Sequence, residues 1–176
     1  IGGSNVDYLF SIAQTSDGGY ILGGFSNSDI SGTKTENCYG GDDYWIVKTD
    51  SIGAILWQNT IGGNADDWLQ SVIQTSDGGY LLGGTSNSDI SGDKTENCVG
   101  IRDFWIVKTN NLGVIQWQNT IEGSSLDDLT SIAQTSDGGF ILGGWSESDI
   151  SGDKTENSNG SYDYWIVKTD SLGMIQ

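Results

Sequence analysis

The amino-acid sequence predicts an all-β fold of tandem antiparallel units, and three observations carry that prediction. The first is a 60-residue period across the 176-residue chain, with Ile1-Gly2-Gly3 returning as Ile61-Gly62-Gly63 and Ile121-Glu122-Gly123. Gln14-Thr15-Ser16-Asp17-Gly18-Gly19 returns unchanged from Gln74 and from Gln134, and Trp45-Ile46-Val47-Lys48-Thr49 from Trp105 and Trp165, without insertion or deletion. A fixed period of this kind marks a repeat architecture in which each unit buries its faces against its neighbours. The second observation is that short apolar runs alternate with Asp-Gly and Gly turn signals inside each copy. The third is that no stretch shows a helical period.

Taking the first copy in order, Leu9-Phe10-Ser11-Ile12-Ala13-Gln14-Thr15 reads as a strand and Ser16-Asp17-Gly18-Gly19 as its turn. Asp-Gly between apolar runs is the strongest short hairpin signal, because only a residue tolerant of positive φ closes the turn. Tyr20-Ile21-Leu22-Gly23-Gly24-Phe25-Ser26 returns, its paired glycines marking a bend or a close backbone approach. Residues 27–43 are polar and aperiodic and read as a long loop. Tyr44 to Thr49, the turn Asp50-Ser51-Ile52-Gly53 and Ala54 to Gln58 form a second hairpin. Its Trp45-Ile46-Val47 centre is apolar on both faces, as a sheet sandwiched between neighbours requires.

Four antiparallel strands make one blade, and radial stacking of such blades gives a β-propeller, which closes with typically four to eight. The expectation is therefore an open three-blade segment, with repeats at 1–60, 61–120 and 121–176, the last truncated. The third copy stops at Ile175-Gln176, where the others continue to Trp57 and Trp117, so a segment of a longer protein is expected. Its neighbours would be further repeats of the same protein or identical chains.

Composition narrows the function. Twenty-four acidic residues face seven basic ones, there is no His and no Pro, and the net charge is −17. Such a surface argues against nucleic acid and against an anionic membrane. It favours solubility and cation binding, and points outside the cell. Seven Trp and seven Tyr within regular strands distinguish it from a disordered acidic chain. No apolar run approaches a membrane span. The absence of His excludes Ser–His–Asp and Cys–His catalysis, and no Gly-rich phosphate loop with a Lys is present. Cys38 and Cys98 share a column that holds Ser158 in the third copy, which argues against a metal cluster. Pairing of the two and a pair of free thiols both fit.

The loop after the second strand is the first candidate site. Asp89, Ser91, Asp93 and Thr95, and likewise Asp149, Ser151, Asp153 and Thr155, set oxygens at alternate positions around a Gly. That spacing resembles the first half of a calcium loop, making Ca2+ the one candidate cofactor. Copy one retains Asp29 and Ser31 but has Thr33 where the second Asp would stand. The alternative is an acidic loop held by Asx and Ser/Thr turns. Asp66-Asp67 and Asp127-Asp128 differ in register between copies, unlike the fixed carboxyl pair of a glycosidase. Asp7, Asp67 and Asp127, and Asp43, Asp103 and Asp163, read instead as acceptors for backbone amides at strand entries.

Trp45, Trp105, Trp165, Trp57 and Trp117 hold fixed columns and read as blade packing. Trp68 and Trp145 differ: their columns hold Tyr8 and Asp128, and Phe25 and Thr85. Rings in such variable columns are expected at the surface, where they can stack on sugars.

The run Asp-Gly-Gly-Tyr-Ile-Leu-Gly-Gly, then Ser-Asp-Ile-Ser-Gly, then Asp-Tyr-Trp-Ile-Val-Lys-Thr-Asp, then Gly and Trp-Gln resembles a repeat of secreted, surface-attached Bacteroidota proteins exported by the type IX system. The resemblance covers all three copies and implies a propeller-like fold at the cell surface. The double glycine is more distantly similar to Kelch blades, from which the 60-residue length and long acidic loop depart. Asp50-Ser51-Ile52 and Asp170-Ser171-Leu172 resemble the O-glycosylation acceptor of that bacterial group, making Ser51 and Ser171 candidate sites. Asn159-Gly160-Ser161 fits an N-glycosylation sequon.

The resulting expectation is a non-enzymatic extracellular repeat module, part of a surface adhesin or structural protein, binding multivalently through identical acidic loops. The alternatives are a glycan-binding closed propeller joined to a catalytic domain elsewhere, and a subunit of a self-assembling filament.

Overall fold

The computed structural model describes residues 1–176 and is all β. Strands β1 (Asp7–Gln14), β2 (Tyr20–Ser26), β3 (Asp43–Thr49) and β4 (Ile55–Ile61) form one antiparallel meander. Strands β5 (Asp67–Gln74), β6 (Tyr80–Ser86), β7 (Asp103–Thr109) and β8 (Ile115–Ile121) form the second. The third has β9 (Asp127–Gln134), β10 (Phe140–Ser146) and β11 (Asp163–Thr169), with a single Thr169–Ile175 bridge where a fourth strand begins. The three sheets do not close into a ring.

Two boundaries differ from the sequence expectation. The first strand begins at Asp7 because Asp7 and Tyr8 pair with Ser26 and Phe25. The fourth runs on to Ile61, where Gln58, Asn59 and Thr60 pair with Val47, Ile46 and Trp45. Thus Ile61 closes one blade, and residues 62–66 link it to the next. Polar side chains hid this extension, because an outer strand exposes half of its residues and need not look apolar. The turns fall as expected, with Gly18 at φ 83° and Gly53 at φ 87°, a region in which an L side chain is strained.

The core lies between blades. Ile21, Tyr44, Ile46 and Ile61 of the first pack on Leu69, Val72, Tyr80, Leu82, Trp105 and Val107 of the second. The same columns meet again at the next junction, where Leu81, Phe104 and Ile106 pack on Leu129, Ile132, Phe140, Leu142, Trp165 and Val167. Each buried side chain of this size contributes about 1.5–3 kcal/mol. Contact is concentrated on the first strand of each following blade, with β5 packed on β1, β2 and β3, and β9 on β5, β6 and β7. The paired glycines permit this approach. A Cβ on Gly23 would lie 2.6 Å from Leu69 Cδ2, and one on Gly24 would meet the Tyr8 carbonyl of its own sheet.

The long loop clamps the link that enters its own blade. Ser88 and Ser91 Oγ accept the amides of Ala65 and Asn64 at 2.9 and 2.8 Å, and Asp93 N donates to Gly62 O at 2.9 Å. From the preceding blade, Gly41 N reaches Ala65 O at 3.0 Å and Asp42 O accepts Asp67 N at 2.5 Å. The Asp columns cap amides as the sequence suggests: Asp67 Oδ2 accepts Gly63 N at 2.7 Å and Asp43 Oδ2 accepts Tyr39 N at 2.6 Å.

Candidate functional site

The side chains that differ most between copies meet on one surface. Tyr8 pairs across strands with Phe25, Trp68 with Thr85, and Asp128 with Trp145. Residues 42, 102 and 162 precede β3, β7 and β11 and reach the same surface. Tyr8, Phe10 and Phe25 form a cluster with ring centroids 5.2–6.0 Å apart, and Phe25 lies 6.5 Å from Trp68 across the first junction. Phe10 joins this cluster because β1 bulges between Leu9 and Ser11.

Trp68 and Trp145 flank Arg102, whose guanidinium carbon lies 5.5 Å from one ring centroid and 5.6 Å from the other. Stacking between two indoles holds the guanidinium by cation–π attraction and restricts its rotation. Arg102 also pairs with Asp128 at 2.7 Å, and Trp68 Nε1 donates to Asp42 Oδ2 at 2.8 Å. Burial pushes the Asp128 carboxyl up, and the Arg102 charge partly offsets it. Trp145 meets Tyr162 edge-on at 4.6 Å. The result is a row of seven side chains, Phe10, Tyr8, Phe25, Trp68, Arg102, Trp145 and Tyr162, crossing all three blades. Phe10 and Tyr8 at one end and Tyr162 at the other are exposed.

Sequence reasoning singled out Trp68 and Trp145 and missed the residue between them. The signal was present: all six Lys fall in two repeat columns, 34/94/154 and 48/108/168, whereas Arg102 is the single Arg and has no basic counterpart. The column lysines serve the blades. Lys34 is buried over Trp45 and donates to Thr60 Oγ1 at 2.5 Å, and Lys48 and Lys108 reach Asp17 and Asp77 at 2.9 Å.

Several candidate oxygens of the acidic loops make hydrogen bonds within the chain. Ser91 and Ser151 Oγ donate to the carbonyls of Asp89 and Asp149 at 2.8 and 2.9 Å, and Asp153 Oδ2 accepts Glu122 N at 3.1 Å. Thr33 Oγ1 accepts Gly2 N at 2.9 Å, so Thr and Asp serve one capping role in this column. Ser31 Oγ likewise accepts Ser4 N at 2.9 Å. Thr95 and Thr155 are exposed, as are the carboxyl-bearing tips at Asp29, Asp89 and Asp149. No group of three or more His, Cys, Asp or Glu is placed to hold a metal.

Of the two alternatives for Cys38 and Cys98, the structure has free thiols, one in each of two successive blades. Cys38 Sγ donates to the carbonyls of Ser26 and Ser28 in its own blade. Burial pushes the two thiols up to about 11 and about 12. Ser51 and Ser171 are exposed in turns built by Asp50 and Asp170, whose Oδ1 atoms each accept two turn amides.

No protein-family model matches the chain. It is 25% identical over 152 residues to Regulatory protein FlaEY of Caulobacter vibrioides, an alignment covering 79% of this chain and 15% of that protein. Among solved structures it is similar to a protein of unknown function from Bacteroides caccae, with a TM-score of 0.34 and 12% identity over 95% of this chain and 65% of that one. The chain thus spans a small part of the first relative and just under two thirds of the second.

Proposed function

We propose that the chain is a non-catalytic binding segment of an extracellular repeat protein, and that its aromatic row takes the faces of saccharide rings. The observation behind this reading is that the blades keep their packing, clamping and ion-pair columns alike while the row columns change. Conserving a scaffold while varying one surface is how repeat arrays present a binding face. Tyr, Trp and Phe offer large rigid surfaces at low entropic cost, and Arg102 with Asp128 and Asp42 adds polar groups for hydroxyls. The row's acids are occupied by Arg102 and Trp68, and the chain lacks His, so nothing here favours a reaction over binding.

A glycan array followed by calorimetry tests this. Binding that falls at least tenfold in Trp68→Ala and Trp145→Ala, with melting temperatures otherwise close to the parent, supports the reading. No glycan bound, or binding indifferent to both changes, removes it.

A second reading is favoured by the exposed pairs Asp29-Ile30, Asp89-Ile90 and Asp149-Ile150, identical in all three loops. Three equal tips on a rigid frame suit multivalent contact with a repeating surface, as in an adhesin. Replacing Ile30, Ile90 and Ile150 by Ser one, two and three at a time would then lower adhesion in steps.

A further inference from the structure

The contacts that pack one blade on the next are interchangeable between the two junctions. Tyr44 stacks on Trp105 and Phe104 on Trp165, both with centroids 4.8 Å apart. Gln74 Oε1 accepts Ser16 N at 2.7 Å, and Gln134 Oε1 accepts Ser76 N at 2.9 Å. Asn59 and Asn119 Nδ2 donate to the carbonyls of Gly113 and Gly173 at 2.7 and 2.6 Å. Nothing in these contacts tells the first blade that its neighbour is the second and not the third. Misassembly between look-alike units is a characteristic failure of repeat proteins.

The columns that vary supply the distinction, and they vary in matched sets. At the first junction Asp42 N donates to Asp66 Oδ1 at 3.1 Å, and Asp42 Oδ2 accepts Trp68 Nε1 at 2.8 Å. Phe25 lies beside the Trp68 ring, with centroids 6.5 Å apart. Gly41 leaves room for Asp66, since a Cβ on it would strike Asp66 Oδ1. At the second junction the same columns hold Thr85, Ile101, Arg102, Leu126 and Asp128. Here Arg102 pairs with Asp128 at 2.7 Å, their side chains 25% and 16% exposed, and Thr85 Oγ1 accepts Leu129 N at 3.3 Å. Five positions thus change together, and each set is complementary within itself.

Exchanging neighbours breaks both sets. The first blade docked on the third would set Asp42 against Asp128, two carboxylates with no cation between them, and its amide against Leu126. A second blade docked on the second blade of another chain would drive Ile101 into Asp66 and leave Arg102 without its carboxylate. Clashes and unpaired charges of this kind discriminate between partners that share one apolar surface.

We infer that these two matched sets fix the order in which the blades dock, each junction admitting its own neighbour and rejecting the other. The inference rests on the junction contacts alone and stands whether or not the aromatic row binds saccharide.

Cysteine trapping during refolding reads the order directly. In a chain carrying Cys38→Ser and Cys98→Ser, the pair Ser16→Cys/Gln74→Cys reports the correct first junction. The pair Ser16→Cys/Gln134→Cys reports the first blade docked on the third, within one chain or between two, because Gln134 stands in the column of Gln74. Oxidising the refolding chain should close the first pair and leave the second open. Asp42→Arg gives the first blade the residue that the second uses against Asp128. It should raise the 16–134 cross-link about tenfold, the worth of one hydrogen bond to a charged group. Asp128→Trp, which gives the third blade the second's partner for Asp42, should raise it from the other side.

Two controls separate redirection from loosening. Asp42→Ala weakens the first junction without recruiting the third blade and should raise the cross-link far less than Asp42→Arg. Adding Asp128→Lys to Asp42→Arg should abolish the rise. A 16–134 cross-link as frequent in the parent as in the variants overturns the inference. So does one that rises equally with Asp42→Ala and Asp42→Arg.

Discussion

Cys38 Sγ donates to the carbonyls of Ser26 and Ser28 at 2.9 and 3.3 Å, and Ser158 Oγ donates to those of Ser146 and Ser148 at 3.4 and 2.9 Å. In the first and third blades this position supplies a small donor to two carbonyls, and thiol and hydroxyl both serve, whereas Cys98 Sγ meets Gly100 O at 3.7 Å. Cys38→Ser is therefore expected to change stability by less than about 0.5 kcal/mol, whereas Cys38→Val strands the carbonyls and costs about 1 kcal/mol. Denaturant melts of the two variants check this. With burial pushing both thiols up, labelling by a thiol reagent at neutral pH should be slow in the folded chain and fast once it is unfolded.

Acid should weaken the first hairpin of each blade. Lys108, Thr75 and the Gly79 amide together hold the Asp77 carboxyl down to about 2, against some burial. The folded state thus binds this proton less tightly than the unfolded one, and the stabilisation present above about pH 4 is lost as pH falls towards 2. Asp17 and Asp137 are held lower still, chiefly by Thr15 and Thr135 and by Lys48 and Lys168. Asp77→Asn is expected to lower the melting temperature at pH 6 and to flatten its decline between pH 4 and 2.

The opposite slope comes from the blade junction. Burial pushes Asp43 up to about 6; the nearby Asp67 carboxylate adds to this, and the Tyr39 amide opposes it. The folded chain binds this proton more tightly, so stability present below about pH 4 is lost as pH rises to 6. Calorimetry of Asp43→Asn should show a smaller fall in melting temperature over that interval than the parent. The two slopes together put the parent's maximum near pH 4 if these groups dominate the titration.

Calcium offers a direct check on the loops. The Ser91 and Ser151 hydroxyls donate to backbone carbonyls and Asp153 caps an amide, so the alternate oxygens have structural duties. The melting temperature should be the same in EDTA and in excess Ca2+. A rise of several degrees with Ca2+ would return Asp89, Asp93, Asp149 and Asp153 to candidacy as ligands.

Much of the fold was legible because the period, the Asp-Gly turns and the apolar β3 column all point to one arrangement. The ends of β1 and β4 were not, since Asp7 and Asn59-Thr60 are polar and carry no apolar strand signal. Trp68 and Trp145 were recognisable as unlike the other tryptophans, but their meeting around Arg102 depends on how successive blades are placed. The loop oxygens were ambiguous for a related reason: alternate Asp and Ser suit a cation or a set of amides, and their hydrogen bonds to the incoming link depend on where the blades lie.

That link has a mechanical consequence. Residues 62–66 are fastened on one side by Gly41 and Asp42 and on the other by Ser88, Ser91 and Asp93. A pull along the chain therefore loads several short hydrogen bonds at once, in shear, before any strand can peel from its sheet. Successive blades should therefore resist tension as one body, their links giving way only after these bonds have broken together.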